Sequence, residues 1–323
     1  MALHIETPLI RSDSLSKRWN CPVFLKLENL QNSGTFKIRG IGHLCQKAVA
    51  TGCQRFICSS GGNAGMAAAL AGRELQRDVT IIVPETTPVL VRDKLRGLGA
   101  DVVVHGSEWN AADALAREKA QEPGCQYIPP FDHPDIWEGH SSMMHEIHRQ
   151  LPAGVQPGLF SVAVGGGGLL CGVLQGMHHQ DIGWADVPVV AMETNGCHSF
   201  AEAAKSGKVV TLDAITSVAT CLGSKAVCQE AVDWCSRHSR LHSVVIEDKE
   251  TIEACTRFAD EHRMLVEPAC GAALSAVYGD CLKQLQQDSV LPAYFSSIVV
   301  IVCGGNSIST RMLEDWKSRF DVK

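Results

Sequence analysis

The sequence lacks any long apolar run. None of its hydrophobic stretches approaches the ~18–20 residues that a membrane-spanning helix needs. The first ten residues, MALHIETPLI, have neither the basic start and apolar core of a secretory signal nor the arginine-rich pattern of a transit peptide. We therefore expect a cytoplasmic protein with no membrane partner.

The sequence also has no excess of positive charge. Its 29 Lys and Arg residues are outnumbered by 35 Asp and Glu residues, which gives a formal net charge of -6. A protein that binds nucleic acid or an anionic membrane surface through its charge would carry a basic excess. A small-molecule partner is the better expectation.

Metal-binding motifs are missing as well. The 14 cysteines include no C-x-x-C pair, and the four histidines between residues 133 and 148 include no H-E-x-x-H. Scattered thiols in a long chain without a signal sequence are typical of a reduced, cytosolic protein. A seven-residue spacing predicts that three of them share one buried helix face: Cys221, Cys228 and Cys235.

What is present is an alternation of Val- and Ile-rich runs with Ala- and Leu-rich helical patterns. It begins at RFICSS, continues through DVTIIVPE, DVVVHG and QYIPPF, and resumes with LFSVAVGGGG, VPVVAMETNG, HSVVIEDKE and SSIVVIVCGGN. This alternation of strand-like and helix-like segments indicates βαβ units and parallel sheets. At 323 residues, without a fixed repeat, the chain is expected to form two parallel-sheet-based α/β domains.

Ligands of parallel sheets bind beyond the carboxyl ends of the strands, so the turns after strands are informative. The first is SSGGNAG, residues 59–65, where small residues let backbone amides and a helix N-terminus face an anion the size of a carboxylate. Asn63 adds a directional donor and acceptor. The alternative is an ordinary strand-to-helix connection with a cap.

The second turn is a run of four glycines: Gly165, Gly166, Gly167 and Gly168. Four residues without Cβ atoms offer a nest of amides that suits a phosphate. The dinucleotide pattern G-x-G-x-x-G fails here, because its sixth position is Leu170 or Cys171. A phosphate-bearing ligand other than a dinucleotide is favoured, and a nicotinamide-dependent dehydrogenase becomes a distant alternative.

A third turn and a lysine complete the set. Cys303 ends the apolar run IVVIV and precedes two glycines, and Lys37 lies in SGTFKIRG. Alone, each is explained by packing or by a solvated charge. Together, a reactive amine, a phosphate cradle, a carboxylate turn and a polar atom at a strand end are what pyridoxal phosphate requires.

The sequence resembles the liver-type L-serine/L-threonine dehydratases, and more closely their serine dehydratase-like paralogues. These enzymes belong to the tryptophan-synthase-β class (fold type II) of pyridoxal-phosphate enzymes. The motifs that carry the resemblance are SGTFKIRG, SSGGNAG, VGGGGLLCG, AMETNG, VEPACGAAL and VIVCGGN. The likeness runs from Thr7 to about Asn306. The resemblance implies that Lys37 forms the Schiff base and removes the α-proton, and that Phe36 packs on the ring face.

The same resemblance assigns the other site residues. Asn63 would bond the ring hydroxyl, Gly165 to Gly168 the phosphate, and Cys303 would face the pyridine nitrogen. Ser60, with the neighbouring amides of Gly61 and Asn63, would hold the substrate carboxylate. A monovalent cation, K⁺, is expected at a set of six residues: Gly165, Glu193, Cys197, Ser199, Leu222 and Ser224.

The architecture of the resembled class implies a large domain made of residues 1–43 and 132–323, a small domain of residues 44–131, the cofactor in the interdomain cleft, and a homodimer. The relatives read S-S-A-G-N-A-G where this sequence has Gly61. We expect the glycine to loosen the turn and slow the enzyme.

The activity implied is deamination of L-serine to pyruvate and of L-threonine to 2-oxobutanoate, each with ammonia. A neutral thiol at the pyridine nitrogen would make the ring a weak electron sink, which favours prompt loss of the β-hydroxyl over transamination. The alternatives left open are a weakly active or regulatory paralogue that keeps the cofactor, β-replacement, and serine racemisation.

Overall fold

The computed structural model describes residues 2–323. The strands, in chain order, are β1 (Leu9–Arg11), β2 (Val23–Leu27), β3 (Arg55–Cys58), β4 (Asp78–Val83), β5 (Asp101–Val104), β6 (Cys125–Tyr127), β7 (Leu159–Ala163), β8 (Val189–Thr194), β9 (Leu241–Ile246) and β10 (Ile298–Val302). The helices are α1 (Asp13–Trp19), α2 (Lys37–Ala50), α3 (Asn63–Leu75), α4 (Val89–Gly97), α5 (Trp109–Lys119), α6 (Pro134–Gln150), α7 (Gly168–Met177), α8 (Ser199–Ser206), α9 (Gln229–Arg237), α10 (Asp248–His262), α11 (Pro268–Tyr278), α12 (Cys281–Gln287) and α13 (Thr310–Phe320).

The chain divides into two compact units. Of the described residues, unit 1 contains 2–5 and 31–140, and unit 2 contains 6–30 and 141–323. The expected small domain, 44–131, falls wholly within unit 1, which also takes in residues 31–43 and 132–140. A boundary at residue 43 would cut α2 in its middle, and this helix packs against α3.

Unit 1 is built on a four-stranded sheet in the order β5-β4-β3-β6, and its strand pairs are all parallel. The central strands bury almost every residue, which a parallel sheet covered by helices on its faces requires. Helix α3 supplies an alanine-rich surface, so its backbone packs close to the sheet and to α2. The turns after β3 and β4 lead directly into α3 and α4.

Unit 2 contains a six-stranded sheet in the order β1-β2-β10-β7-β8-β9. Only the edge pair β1 and β2 is antiparallel, and the other four pairs are parallel. Helix α11 is buried at every residue and packs against β7, β8 and β10. The sequence prediction of α/β folding on parallel-based sheets is therefore confirmed.

A buried ion pair joins the N-terminal segment of unit 2 to α6. The Lys26 side chain is fully buried, and its Nζ donates to Glu146 Oε2 at 2.6 Å, to Gln150 Oε1 at 2.9 Å and to the Thr7 carbonyl at 2.7 Å. Burying a lysine is costly unless a counter-charge and further acceptors surround it. These three acceptors meet that requirement.

Two expectations from the sequence concern the placement of three cysteines and the absence of a membrane-spanning helix. The prediction that Cys221, Cys228 and Cys235 share one helix face is wrong, because Cys221 lies in a short 3-10 turn, Cys228 precedes α9 and only Cys235 lies within it. Within residues 2–323, no helix combines the length and the apolar character needed to cross a membrane.

Candidate active site

Lys37 is the first residue of α2, and Phe36 caps that helix. The lysine side chain is half-buried, and its Nζ donates to the Pro130 carbonyl at 2.7 Å. The same Nζ lies 5.1 Å from the centroid of the Phe36 ring, within range of a cation–π interaction. The ammonium is therefore held at the start of the helix by a carbonyl and an aromatic face.

Lys37 also lies near the end of β3, where the first glycine turn begins. Burial raises the pKa of Cys58, the last residue of that strand, to about 11, and the nearby positive charge of Lys37 acts in the opposite direction. Within unit 1, the amine and the SSGGNAG turn are thus neighbours.

The two serines of this turn have different partners. Ser59 is buried and its Oγ donates to Asp113 Oδ1 at 2.5 Å, whereas Ser60 Oγ accepts from the Gly62 amide at 3.2 Å. A Cβ at Gly65 would lie 1.8 Å from the Ser60 carbonyl oxygen, so only glycine lets the turn close over that carbonyl. Ser59 anchors the turn, and Ser60 and Asn63 remain as its candidate functional side chains.

Asp113 on α5 is the residue that holds the Ser59 side chain in place. Besides Ser59, it accepts from the Tyr127 hydroxyl and from Arg117 Nε at 2.7 Å. Burial pushes the pKa of Asp113 upward, but the hydrogen bonds from these three residues outweigh it and hold the pKa below its usual range. The carboxylate therefore stays ionised, and it fixes the N-terminal end of the turn.

The four-glycine turn of unit 2 links β7 to α7. Gly167 has a φ of +92°, and a Cβ there would lie 2.7 Å from Ala231 Cβ. The Gly166 carbonyl accepts from the Cys228 amide at 3.0 Å, and Gly168 is the first residue of α7. The turn therefore presents backbone amides at the start of a ten-residue helix, whose N-terminal dipole favours an anion.

Cys303 directly follows β10 and is 6% exposed. A hydrogen bond with the Cys270 thiol, burial and the nearby Glu267 carboxylate raise its pKa well above the usual value for a thiol. Glu267 also accepts from the Ser307 amide at 2.6 Å, which holds the loop after Cys303 in place. Cys303 is therefore a neutral thiol at physiological pH.

Glu193 is the one acidic side chain among the residues expected to bind a cation. This carboxylate is fully buried, and its two oxygens accept from the amides of Phe200 at 2.8 Å and Ala201 at 2.7 Å. Burial raises the pKa of Glu193 to about 8. Ser199 Oγ is buried and has no hydrogen-bond partner among the described residues.

The other members of that set lie in neighbouring loops of unit 2. Gly165 packs on the backbone of Leu222, which a Cβ at position 165 would approach to 3.1 Å. Cys197 lies in a bridge with Thr194, and the Ser224 hydroxyl donates to the Ala226 carbonyl at 2.6 Å. Cys197 Sγ points to the Ala219 carbonyl at 3.8 Å, so we expect it to offer a cation only its backbone.

The predicted site residues thus fall into two groups. Unit 1 holds Phe36, Lys37, Ser60, Gly61 and Asn63, and unit 2 holds the four glycines, Cys303 and the cation set. Sequence reasoning missed Asp113, Cys270 and Glu267, which support the predicted residues. VEPACGAAL contains two of them, but nothing in its letters indicates that they face Cys303.

The chain is similar to characterised proteins over nearly its whole length. The profile of the family described as "Pyridoxal-phosphate dependent enzyme" matches residues 2–304. The protein named serine dehydratase-like from Homo sapiens is 49% identical over 315 residues, which cover 98% of this chain and 94% of that protein. The L-serine dehydratase/L-threonine deaminase from Homo sapiens is 49% identical over 321 residues, which cover 99% of this chain and 96% of that protein.

Solved structures agree with the sequence comparisons. The L-serine ammonia-lyase from the fungus Rhizomucor miehei is 35% identical and superposes with a TM-score of 0.88, covering 99% of this chain and 100% of its own. The processed form of threonine deaminase isoform 2 from Solanum lycopersicum is 26% identical and superposes with a TM-score of 0.85. The match covers 100% of this chain and 90% of that protein.

Proposed function

The chain belongs to the family of pyridoxal-phosphate-dependent enzymes, and we propose that it deaminates L-serine to pyruvate and L-threonine to 2-oxobutanoate, each with release of ammonia. The observation that carries this proposal is the 49% identity, over 99% of the chain, with a protein named L-serine dehydratase/L-threonine deaminase. The site geometry adds independent support.

The residues present fit the cofactor. The amides of Gly165 to Gly168, at the N-terminus of α7, suit a phosphate because these four residues carry no side chain of their own. Lys37 would hold the cofactor covalently through Nζ, Phe36 would cover the ring, and Asn63 would bond its hydroxyl. Cys303 would face the pyridine nitrogen as a neutral thiol.

When bound, the cofactor supplies an electron-accepting ring, which makes the α-proton of a linked amino acid removable. The amino group of the substrate would replace Lys37 in the covalent link to the cofactor, and the freed Nζ of Lys37 would then accept that proton as general base. Ser60 and the amides of its turn hold the substrate carboxylate, and this fixes the α-carbon for proton removal. A neutral Cys303 leaves the pyridine nitrogen without a charged partner, which favours elimination over transamination.

We also propose K⁺ as a structural cation at the set around Glu193. The buried Glu193 carboxyl group and the unpartnered Ser199 hydroxyl offer oxygen ligands, and a bound cation would hold Glu193 ionised against the burial that raises its pKa. A single carboxylate surrounded by neutral oxygens suits a monovalent ion. The cation would support the loop of Leu222, on which Gly165 packs.

We also propose a cellular compartment and an oligomeric state. The fourteen cysteines are all free thiols, which supports a reducing compartment, the cytoplasm. A homodimer is the assembly that the resembled class implies.

Borohydride trapping tests the lysine assignment. Reduction of the protein loaded with pyridoxal phosphate should leave a cofactor-derived mass on the peptide containing Lys37. The Lys37→Ala variant should lose that label and the deaminase activity. Lys47→Ala, on the same helix and paired with Asp135 and Glu138, is the matched control and should keep both. A label on another lysine with full yield would contradict the assignment.

A further inference from the structure

His140 is the most unusual polar side chain of unit 1. It is 0% exposed, and neither of its ring nitrogens has a hydrogen-bond partner among residues 2–323. A buried polar group without a partner costs about 1–3 kcal/mol. A leucine would fill such a space without that cost, so packing alone does not account for an imidazole here.

A close helix crossing fixes where this imidazole lies. A Cβ at Gly40 on α2 would lie 2.5 Å from the Ile136 carbonyl and 2.7 Å from Cε1 of His140. A Cβ at Gly139 on α6 would lie 2.4 Å from the Arg39 carbonyl. The two glycines let α6 press His140 against the first turn of α2, the turn that begins with Lys37.

The ring of Phe36 contacts both His140 and Lys37. The His140 and Phe36 rings meet edge to face, with centroids 4.9 Å apart and planes inclined at 61°. Lys37 Nζ lies 5.1 Å from the centroid of the same phenyl ring. Edge-to-face pairs and cation–π contacts both depend on the orientation of the phenyl ring, so a change at His140 that turned this ring would also change the contact with Lys37.

His140 also stays uncharged. Burial, followed by the positive charges of Lys37, Arg39 and His4, lowers its pKa well below the usual value for histidine. The imidazole therefore adds no positive charge beside the lysine.

We propose that His140 is a positioning residue for Lys37 and acts through the ring of Phe36. Its catalytic significance rests on the proposed function of Lys37, but the contact itself does not. The fold provides a buried edge that sets the angle of the phenyl ring, and the ring in turn sets where the lysine amine lies. The unpartnered nitrogens are the stability cost of keeping an aromatic edge at this point.

The test measures the chemical reactivity of Lys37 in protein free of cofactor. Trace acetylation with acetic anhydride, followed by peptide mass spectrometry, reports Lys37 against Lys47 as an internal control on the same helix. In His140→Leu, we expect labelling of Lys37 to rise at least threefold while labelling of Lys47 stays unchanged, and we expect the melting temperature to rise because the unpartnered buried nitrogens are removed. Phe36→Leu should give the same rise, and the double variant should exceed neither single variant.

An unchanged Lys37 reactivity in His140→Leu would overturn the proposal, and so would effects of the two substitutions that simply add, because His140 would then not act through Phe36. Should His140→Leu fail to fold, His140→Asn replaces it with the same expected result. If the acetylation contrast appears but borohydride traps nothing at Lys37, the proposed function fails and the positioning role stands. The reverse pair of results overturns the positioning role alone.

Discussion

The two glycine turns differ in what surrounds their backbone amides. The turn of unit 1, residues 59–65, carries hydroxyl and amide side chains and is anchored through Ser59 to Asp113. The turn of unit 2, residues 165–168, carries no side chain and is held by its contacts with Leu222, Ala231 and the Cys228 amide. Both precede the N-terminus of a helix.

Under the proposed function, this difference would give the unit 1 turn the task of recognising the substrate and the unit 2 turn the task of anchoring the cofactor. Side chains at fixed positions can distinguish one small molecule from another by the direction of their hydrogen bonds, whereas a nest of amides accepts any group with the charge and size of a phosphate. Substitutions in the unit 2 turn should therefore lower the affinity for the cofactor, and substitutions in the unit 1 turn should change the kinetics with the substrate.

The largest effect is expected for Gly167→Ala in unit 2. A left-handed φ costs an L-residue ~1–2 kcal/mol, and overpacking against Ala231 adds ~1–3 kcal/mol. The free turn would relieve this cost by moving its amides out of their present arrangement, and binding the phosphate would have to restore it. Because ~1.4 kcal/mol is a factor of ten, we expect the affinity for pyridoxal phosphate to fall about 100-fold or more. Equilibrium titration of the visible absorbance measures it.

Gly183→Ala is the matched control for this substitution. Gly183 also has positive φ, +70°, but a Cβ there would meet nothing within 4 Å. It should cost some stability and leave cofactor affinity unchanged. Equal losses of affinity in the two variants would show that the glycine turn has no special part in binding.

The next effect is expected for Ser60→Ala in unit 1. A hydrogen bond to a charged group contributes ~1.5–3 kcal/mol, so kcat/KM for L-serine should fall about 10- to 100-fold with cofactor affinity retained. Ser59→Ala should do the opposite, lowering the melting temperature because Asp113 loses a donor while the kinetics of the folded fraction stay normal. Steady-state kinetics and thermal unfolding separate the two, and a reversed pattern would refute the assignment of roles.

Replacing K⁺ by tetramethylammonium should produce a smaller effect in unit 2. An ion at ten times its dissociation constant stabilises the folded state by about 1.4 kcal/mol. The melting temperature should therefore be higher in KCl than in tetramethylammonium chloride, and Ser199→Ala should reduce the difference. Identical melting curves in the two salts would argue against a cation at this site.

The smallest effect concerns Gly61. Its φ is not in the left-handed region, so alanine is allowed, but the new Cβ would lie 3.1 Å from Thr87 Cγ2 and 3.3 Å from Val83 Cγ1. Restricting the turn should gain ~0.4–1 kcal/mol, so Gly61→Ala combined with Thr87→Ser, which removes the crowding methyl, should raise kcat/KM about two- to fivefold over Thr87→Ser alone. A fall in kcat/KM with cofactor fully bound would show that the space at Gly61 is needed.

The sequence predicts the two turns better than it predicts what holds them. A run of glycines after an apolar strand is a local signal, because the strand, the turn and the helix are consecutive. Asp113 lies 54 residues from Ser59, and Cys270 lies 33 residues before Cys303, so their contacts depend on how the helices pack. His140 illustrates the limit, since its lack of partners becomes visible only once its surroundings are known.

The most direct measurement is the product formed from L-serine alone by the purified protein loaded with pyridoxal phosphate in KCl. We expect pyruvate and ammonia in equal amounts, 2-oxobutanoate and ammonia from L-threonine, and no requirement for sulfide. D-serine as the main product, or no keto acid while the cofactor is fully bound at Lys37, would contradict it.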